Sequence, residues 1–359
     1  MDLRILDTNL DNIAILDVYN SFIWTDRYYE YGDFEIYTAM DTALLDFIKQ
    51  DYYIETRESE HTMIIEDLTI KSDTEEGNYI TIVGRSLESI LDRRIIWGQK
   101  TITGNFQNAI KTLINESIIN PSKTERKISN FIFEETDDPY ITSLTVEAQY
   151  TGDNIYDVIQ KLCEQFNVGF KIILNANKQF VFSLYYGSDR SYEQTDNPYV
   201  IFSPNFENII NSNYIETKSS LKNVTLVGGE VDENENRKYV TVGNVSGLDR
   251  REIFTDARDL QSEVDGKTLS ATEYNNQLTQ RGKEKLAENI EDIAFEGESD
   301  TSVMFKFGED FFMGDIVQVE NEYGHEARAR VVEMVISEDE EGYSVYPTFK
   351  TETGEEDEA

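Results

Sequence analysis

Histidine and cysteine carry most nucleophilic and metal chemistry, and this chain has two of the first and one of the second. His61 opens an apolar run, and His325 lies in the turn-like stretch "NEYGHE". A Ser–His–Asp or Cys–His arrangement must use one of them, because the histidine activates the nucleophile. A zinc site built from Cys and His lacks its ligands. Cys163 has no partner for an intrachain disulfide and falls on the apolar face of an expected helix, a core position. Asp and Glu number 70, so carboxylate pairs at glycosidase spacing arise by abundance and none stands out. Asp232, Asn234 and Asn236 match positions 1, 3 and 5 of a calcium loop, but Arg237 replaces the turn glycine and Gly243 the bidentate glutamate. A polar loop is the better reading there. Neither GxGxxG nor GxxxxGK occurs. No cofactor, metal or catalytic residue is therefore expected, and the chain reads as a non-enzyme.

The charge narrows the partners. Lys and Arg total 32, which leaves a net charge of −38. Neutralising phosphates requires the opposite sign, so sequence-specific nucleic-acid binding is not expected. An anionic membrane surface repels such a chain. No stretch nears the roughly 18 apolar residues of a membrane span, and "MDLRILDTNL" holds no leader-like apolar run. Synthesis in a cytoplasm is the expectation.

The elements that must position any site are mainly strands. Residues 1–98 hold β-branched and aromatic runs, "IAILDVYNSFIW", "YGDFEIYTA", "HTMIIEDLTIKS" and "NYITIVGRS", with a turn at 72–78 and short helices at 41–50 and from Ser86. Residues 99–204 read as an α+β domain. Its two amphipathic helices carry Phe106, Ala109, Ile110, Leu113 and Ile114, then Ile155, Val158, Ile159, Leu162, Cys163 and Phe166. Asn105 caps the first, and Asp153 or Asn154 the second. Residues 205–352 read as a second barrel-like region. It includes a long polar helix at 270–293, opened by a Ser270–Glu273 capping box, whose thin apolar stripe suits a surface or a bridge between parts. Strict alternation around Val303–Phe307 and Ala327–Val332 predicts strands with one buried face each. Residues 353–359 form an acidic tail. The fold class expected is α+β, mainly β: two β-barrel-like domains flanking a small α+β domain.

One segment resists a one-faced reading. "FIWTDRYYEYGDFEI" (22–36) puts rings on both faces of its strands. Trp24, Arg27, Tyr28, Tyr29 and Phe34 have interface-type composition, and the four rings are expected to divide between a core and a subunit or domain interface.

Four stretches, in order, resemble the phage tail-tip and baseplate hub proteins of the siphovirus tail-protein family. They are "YNSFIWTDRYYEYGDFEIY" (19–37), "VGRSLESILDRRII" (83–96), "YYGSDRSYEQTDNPYVIFSPNFENI" (185–209) and "FKFGEDFFMGDIVQVENEYG" (305–324), closed by "RARVVEMVISEDEEGYSVYPTF". The order rather than any single motif carries the likeness. The resemblance implies a virion tail protein that forms a homotrimer. Two barrel-like domains per subunit then make a six-fold-like ring seated on the tube or distal tail protein. Tape-measure, tail-fibre, receptor-binding or lytic proteins are the implied partners. Many relatives carry a lytic or fibre extension, and here the sequence stops at Ala359. Such a ring lets DNA pass, so lumen-facing side chains are expected to be acidic or neutral-polar. The readings from other classes are a secreted or surface carbohydrate-binding module and a glycosidase using paired carboxylates.

Overall fold

The computed structural model describes residues 1–74, 77–231, 236–264, 267–290, 292–298 and 304–351. Asp232 and Asn234 of the calcium-like loop, Val303, two residues of the 72–78 turn and the acidic tail lie outside the described residues. The chain is mainly β with few helices, as expected. It divides into two compact units: residues 1–89, 170–215 and 293–359 form one, and residues 90–169 and 216–292 form the other.

The first unit is built on one long sheet. From its end the strands run Asn12–Leu16, Leu3–Leu6, Tyr53–Glu55, Thr62–Asp73, Gly77–Ser86, Asp33–Ala39, Ser21–Arg27, Glu326–Asp339 and Gly342–Thr351, each antiparallel to the next. Among the described residues the path does not return to its start, so the sheet is open rather than a closed barrel. The joint between early and late chain is the pair Ser21–Arg27 and Glu326–Asp339, in register Arg27↔Glu333, Trp24↔Ile336 and Phe22↔Glu338. Ile316–Glu320 adds to the far end of the latter strand through Ile316↔Arg330. Residues 170–204, read above as the end of the α+β segment, join this unit from Phe170 on. Their backbone groups find partners here: Phe170 N donates to Tyr28 O at 3.3 Å, and Arg190 N donates to Ile316 O at 2.7 Å.

Two strand expectations change. The stretch Met304–Asp315 is mostly turns, and Phe305 and Phe307 pack partly buried against the core while Phe311 is fully buried. In Glu326–Asp339 both faces are covered around Arg330, which is wholly buried. Its guanidinium donates to Gly314 O at 2.7 Å and Tyr186 Oη at 3.0 Å, and lies 4.6 Å from the Tyr186 ring centroid. A buried guanidinium is tolerated because its N–H groups are bonded and its charge faces ring π-density.

The second unit pairs Gln99–Asn105 with Thr145–Thr151 and stacks three helices, Phe106–Ile114, Ile155–Gln165 and Ala271–Ala287, with a sheet of Arg237–Val242, Val224–Val231 and Glu252–Asp256. The helix starts follow the sequence signals. Asn105 Oδ1 accepts from Asn108 N at 3.1 Å, and Asn154 rather than Asp153 caps the second helix, accepting from Tyr156 N at 2.8 Å. Ser270 and Glu273 close the capping box at 3.2 and 2.8 Å. The last helix stops at Ala287, short of 293. It bridges parts of the unit: Thr272, Asn276 and Lys283 are exposed, while Gln277, Gln280 and Glu284 are buried with Tyr274 and Leu278. Gln277 accepts from Gln149 Nε2 at 3.1 Å, and Gln280 donates to Gln165 Oε1 at 2.7 Å. A polar seam does there what an apolar stripe does elsewhere.

Gly84 tests the tightness of the sheet. A Cβ on it would meet Ile64 O at 1.8 Å and the Phe34 ring at 2.8 Å. Gly84→Ala is predicted to destabilise by about 2–3 kcal/mol, as overpacking does, read as a lowered urea midpoint. An unchanged midpoint contradicts this packing.

Candidate functional site

The five residues singled out in the sequence come together in the first unit. Trp24, Tyr28, Tyr29 and Phe34 are all buried in the chain's own core. Trp24 sits between Phe22 and Phe34, with ring centroids 5.9 and 6.1 Å away. Tyr28 meets Tyr29 and Tyr185 edge-on at 4.6 and 5.1 Å. Arg27 is half-buried. It donates from Nε to Glu333 Oε2 at 2.7 Å and from Nη1 to Tyr31 O at 3.1 Å, and it pairs with Asp33. The rings on both faces thus have an account within one subunit, because a central strand of a covered sheet buries side chains on both sides.

Beside Trp24 lies a cluster that the sequence did not single out. Asp26, His61 and Glu88 are each buried. Asp26 Oδ1 accepts from Trp24 Nε1 at 2.9 Å, and Oδ2 accepts from Ser59 Oγ at 2.6 Å. His61 Nδ1 stands 3.1 Å from Glu88 Oε1, aligned for an ion contact rather than a hydrogen bond. The same Glu88 oxygen accepts from Ile172 N at 2.7 Å. Burial opposes charge on His61, but Asp26 and then Glu88 outweigh it and lift its pKa to about 9. Burial likewise opposes charge on Glu88, and His61 holds its carboxyl below the usual range. For Asp26 burial wins and pushes its pKa up, against His61, Ser59 and Trp24. No signal in the pattern marked Asp26: it occupies an inward position of an apolar strand.

The cluster borders a cleft of about 670 Å³, lined also by Arg57, Glu60, Lys171, Tyr185 and Phe312. Its chemistry is limited. A general base must be unprotonated at working pH, and His61 is held protonated. The Ser59 hydroxyl donates to Asp26, not to histidine, so no nucleophile–base pair forms. His325 is elsewhere, with its ring stacked 5.6 Å from Tyr214. Cys163 is wholly buried in the second unit, and burial alone pushes its thiol far up.

The second unit has a smaller cleft, about 350 Å³, bordered by Tyr150, Lys161, Arg281, Glu284 and Glu288. Tyr150 Oη donates to Glu284 Oε1 at 2.6 Å, and Arg281 pairs with Asp259 at 3.0 Å. Burial pushes Glu284 up, against Tyr150 and Arg281. Lys161 and Lys285 pair with Glu288, so most charges here are answered by a neighbour, and Asp157 is the exception among the described residues. Among the described residues no group of His, Cys, Asp and Glu is placed to hold a metal ion.

The His61 cluster predicts a pH dependence. A pKa raised from 6.5 in the unfolded chain to about 9 in the folded one gives stability that is fully present below about 6.5 and lost as pH rises through about 9. Urea midpoints at pH 6 and pH 9.5 should fall in the wild type and change little in His61→Gln. That variant should be destabilised at pH 6 by about 3–5 kcal/mol, the cost of leaving buried carboxylates unpaired. Equal slopes in both proteins would overturn the assignment.

Against this geometry stand the likenesses to other proteins. Residues 2–349 match the siphovirus ReqiPepy6 Gp37-like protein family. None of the curated proteins matches the chain. Among solved structures, the prophage tail protein gp18 from Listeria monocytogenes EGD-e is 16% identical, covers 99% of this chain and 95% of its own, and superposes with a TM-score of 0.56. The 43 kDa tail protein of prophage MuSo2 from Shewanella oneidensis is 13% identical, with coverages of 97% and 98% and a TM-score of 0.59. The tail protein from Neisseria meningitidis MC58 is 10% identical, with coverages of 98% and 97% and a TM-score of 0.58. At these identities the shared property is the fold. Matched from residue 2 to residue 349, the chain belongs to the siphovirus ReqiPepy6 Gp37-like protein family.

Proposed function

We propose that the chain is a non-catalytic structural subunit of a phage tail tip. Three copies form a hub ring, which joins the tube or distal tail protein to receptor-binding, fibre or lytic components and lets DNA through. The observation that carries this reading is the fold, shared over nearly the whole chain with proteins described as tail proteins. The larger cleft adds support from the other side, since its histidine, His61, is held protonated between Asp26 and Glu88 and is not free to act as a base. No helix among the described residues is long and apolar enough to cross a membrane.

A ring needs a surface between copies, and the aromatic core cannot supply it directly. The open end of the sheet is better suited. Asn12–Leu16 is paired only with Leu3–Leu6 among the described residues, and exposes Ile13 by 44% and Ile15 by 56%, with Val18 beyond it at 72%. An unprotected apolar edge strand is a template for another chain. Arg27 remains a candidate for polar contact, being half-exposed. The net charge of −38 opposes association at low ionic strength, so the assembly should tighten with salt. An acidic ring wall would repel passing phosphates within a Debye length of about 8 Å at physiological salt.

Light scattering at raised salt tests the reading. The wild type should form trimers, and Ile15→Lys should stay folded yet remain monomeric. In a phage lacking the wild-type copy, Ile15→Lys should yield tails without functional tips. A monomer at every concentration, or intact tips from that variant, would contradict the edge-strand interface.

A further inference from the structure

The second unit carries a patch whose charge runs against that of the whole chain. Trp97 is 55% exposed, with Lys123 Nζ 4.6 Å and Arg126 Cζ 5.0 Å from its ring centroid. Arg126 Nη2 donates to Ile95 O at 2.6 Å, and Arg94 Nε donates to Arg126 O at 3.0 Å. These bonds fix the guanidiniums on backbone carbonyls, which do not cancel their charge. Among the described residues Arg94, Lys123, Arg126 and Lys127 have no carboxylate within ion-pair distance. Burial, then Arg126 and Arg93, hold Arg94 below the usual arginine range, as expected of crowded cations. Asp92 and Glu125 are the acids adjacent in sequence, and Lys100 is neutralised by Glu116 at 2.6 Å. A cavity of about 450 Å³ opens beside the ring, walled by Ile96, Trp97 and Leu113 and by polar side chains that include Arg126 and the Lys100–Glu116 pair.

A chain with 70 carboxylates has left these cations without one. Cations gathered on an exposed indole, next to a hollow with Ile96 and Leu113 in its otherwise polar wall, form a site with two requirements: negative charge on the cations and a small apolar group against Trp97, Ile96 and Leu113. We propose that this patch docks an acidic segment of a partner polypeptide, whose carboxylates bridge Lys123 and Arg126 while an apolar side chain rests against Trp97 in the cavity. A short segment suits the patch better than a long polyphosphate. A nucleic acid would run on beyond the patch over a chain whose net charge is −38, and repulsion is felt within a Debye length of about 8 Å at physiological salt. The inference does not rest on the tail reading, since binding is a property of the isolated full chain.

The test titrates the full chain with a hexaglutamate peptide bearing one leucine, following tryptophan fluorescence at low and raised salt. Trp24 is buried, so the signal should vanish in Trp97→Phe. Binding should saturate and weaken with salt. Lys123→Glu with Arg126→Glu should lower affinity about tenfold or more, as loss of complementary charge does. Because Arg126 also holds a backbone carbonyl, Lys123→Glu with Lys127→Glu, which leaves that bond intact, should give the same direction with an unchanged circular dichroism spectrum. Lys238→Glu, on an exposed strand position away from these residues in sequence, should have no effect. Absence of saturable binding overturns the proposal. So does equal weakening by Lys238→Glu, or tighter binding of an oligothymidylate of the same charge.

Discussion

The pairing of Ser21–Arg27 with Glu326–Asp339 is the constraint on which the rest depends. It brings together residues about 300 positions apart in sequence, Arg27 opposite Glu333 and Trp24 opposite Ile336. Closing so long a loop costs little more than closing one half its length, because the entropy grows only with the logarithm. Once closed, the sheet obliges residues 90–169 and 216–292 to leave it and return, which is why the second unit is made of two excursions. Local ties fix the register. The N-terminal ammonium of Met1 bonds Glu338 at 2.8 Å, Tyr19 bonds the same carboxylate, and Arg27 bonds Glu333 at 2.7 Å. A slip by one residue would turn Trp24 and Phe22 away from the core.

Each unit buries polar side chains. His61 lies between two carboxylates, Arg330 between two tyrosine rings, and Gln149 meets Gln277 inside the second unit. Such groups add little net stability compared with well-packed apolar replacements. They do penalise any arrangement that leaves one of them unpaired. This penalty applies to His61, whose charge is committed to Asp26 and Glu88.

The sequence displayed what is local and hid what is not. Asn105, Asn154 and the Ser270–Glu273 box are legible because a cap is satisfied within three residues of itself. The stripes of Phe106–Ile114 and Ile155–Gln165 are legible because periodicity records burial. Periodicity names a face but not a neighbour, so nothing in 21–27 announced 326–339 as its partner. The helix Ala271–Ala287 left surface and bridge both open because its buried face is glutamine and glutamate. The alternation of Phe305 and Phe307 came from turns around a core edge, not from a strand. Asp26 was invisible as a site residue because its partners, Ser59, His61 and Trp24, converge only on folding. The order of four family-like stretches carried the functional reading, since order over a whole chain constrains more than any one motif.

The reading of a three-copy hub made from an open sheet is therefore a statement about stoichiometry as well as fold. Its most direct test is a count of this chain in purified tails, by quantitative mass spectrometry against the tube protein with the tube length known from micrographs. Three copies per tail are predicted, as a closed cyclic ring of this subunit requires. A single copy, or a number that grows with tube length, would contradict it.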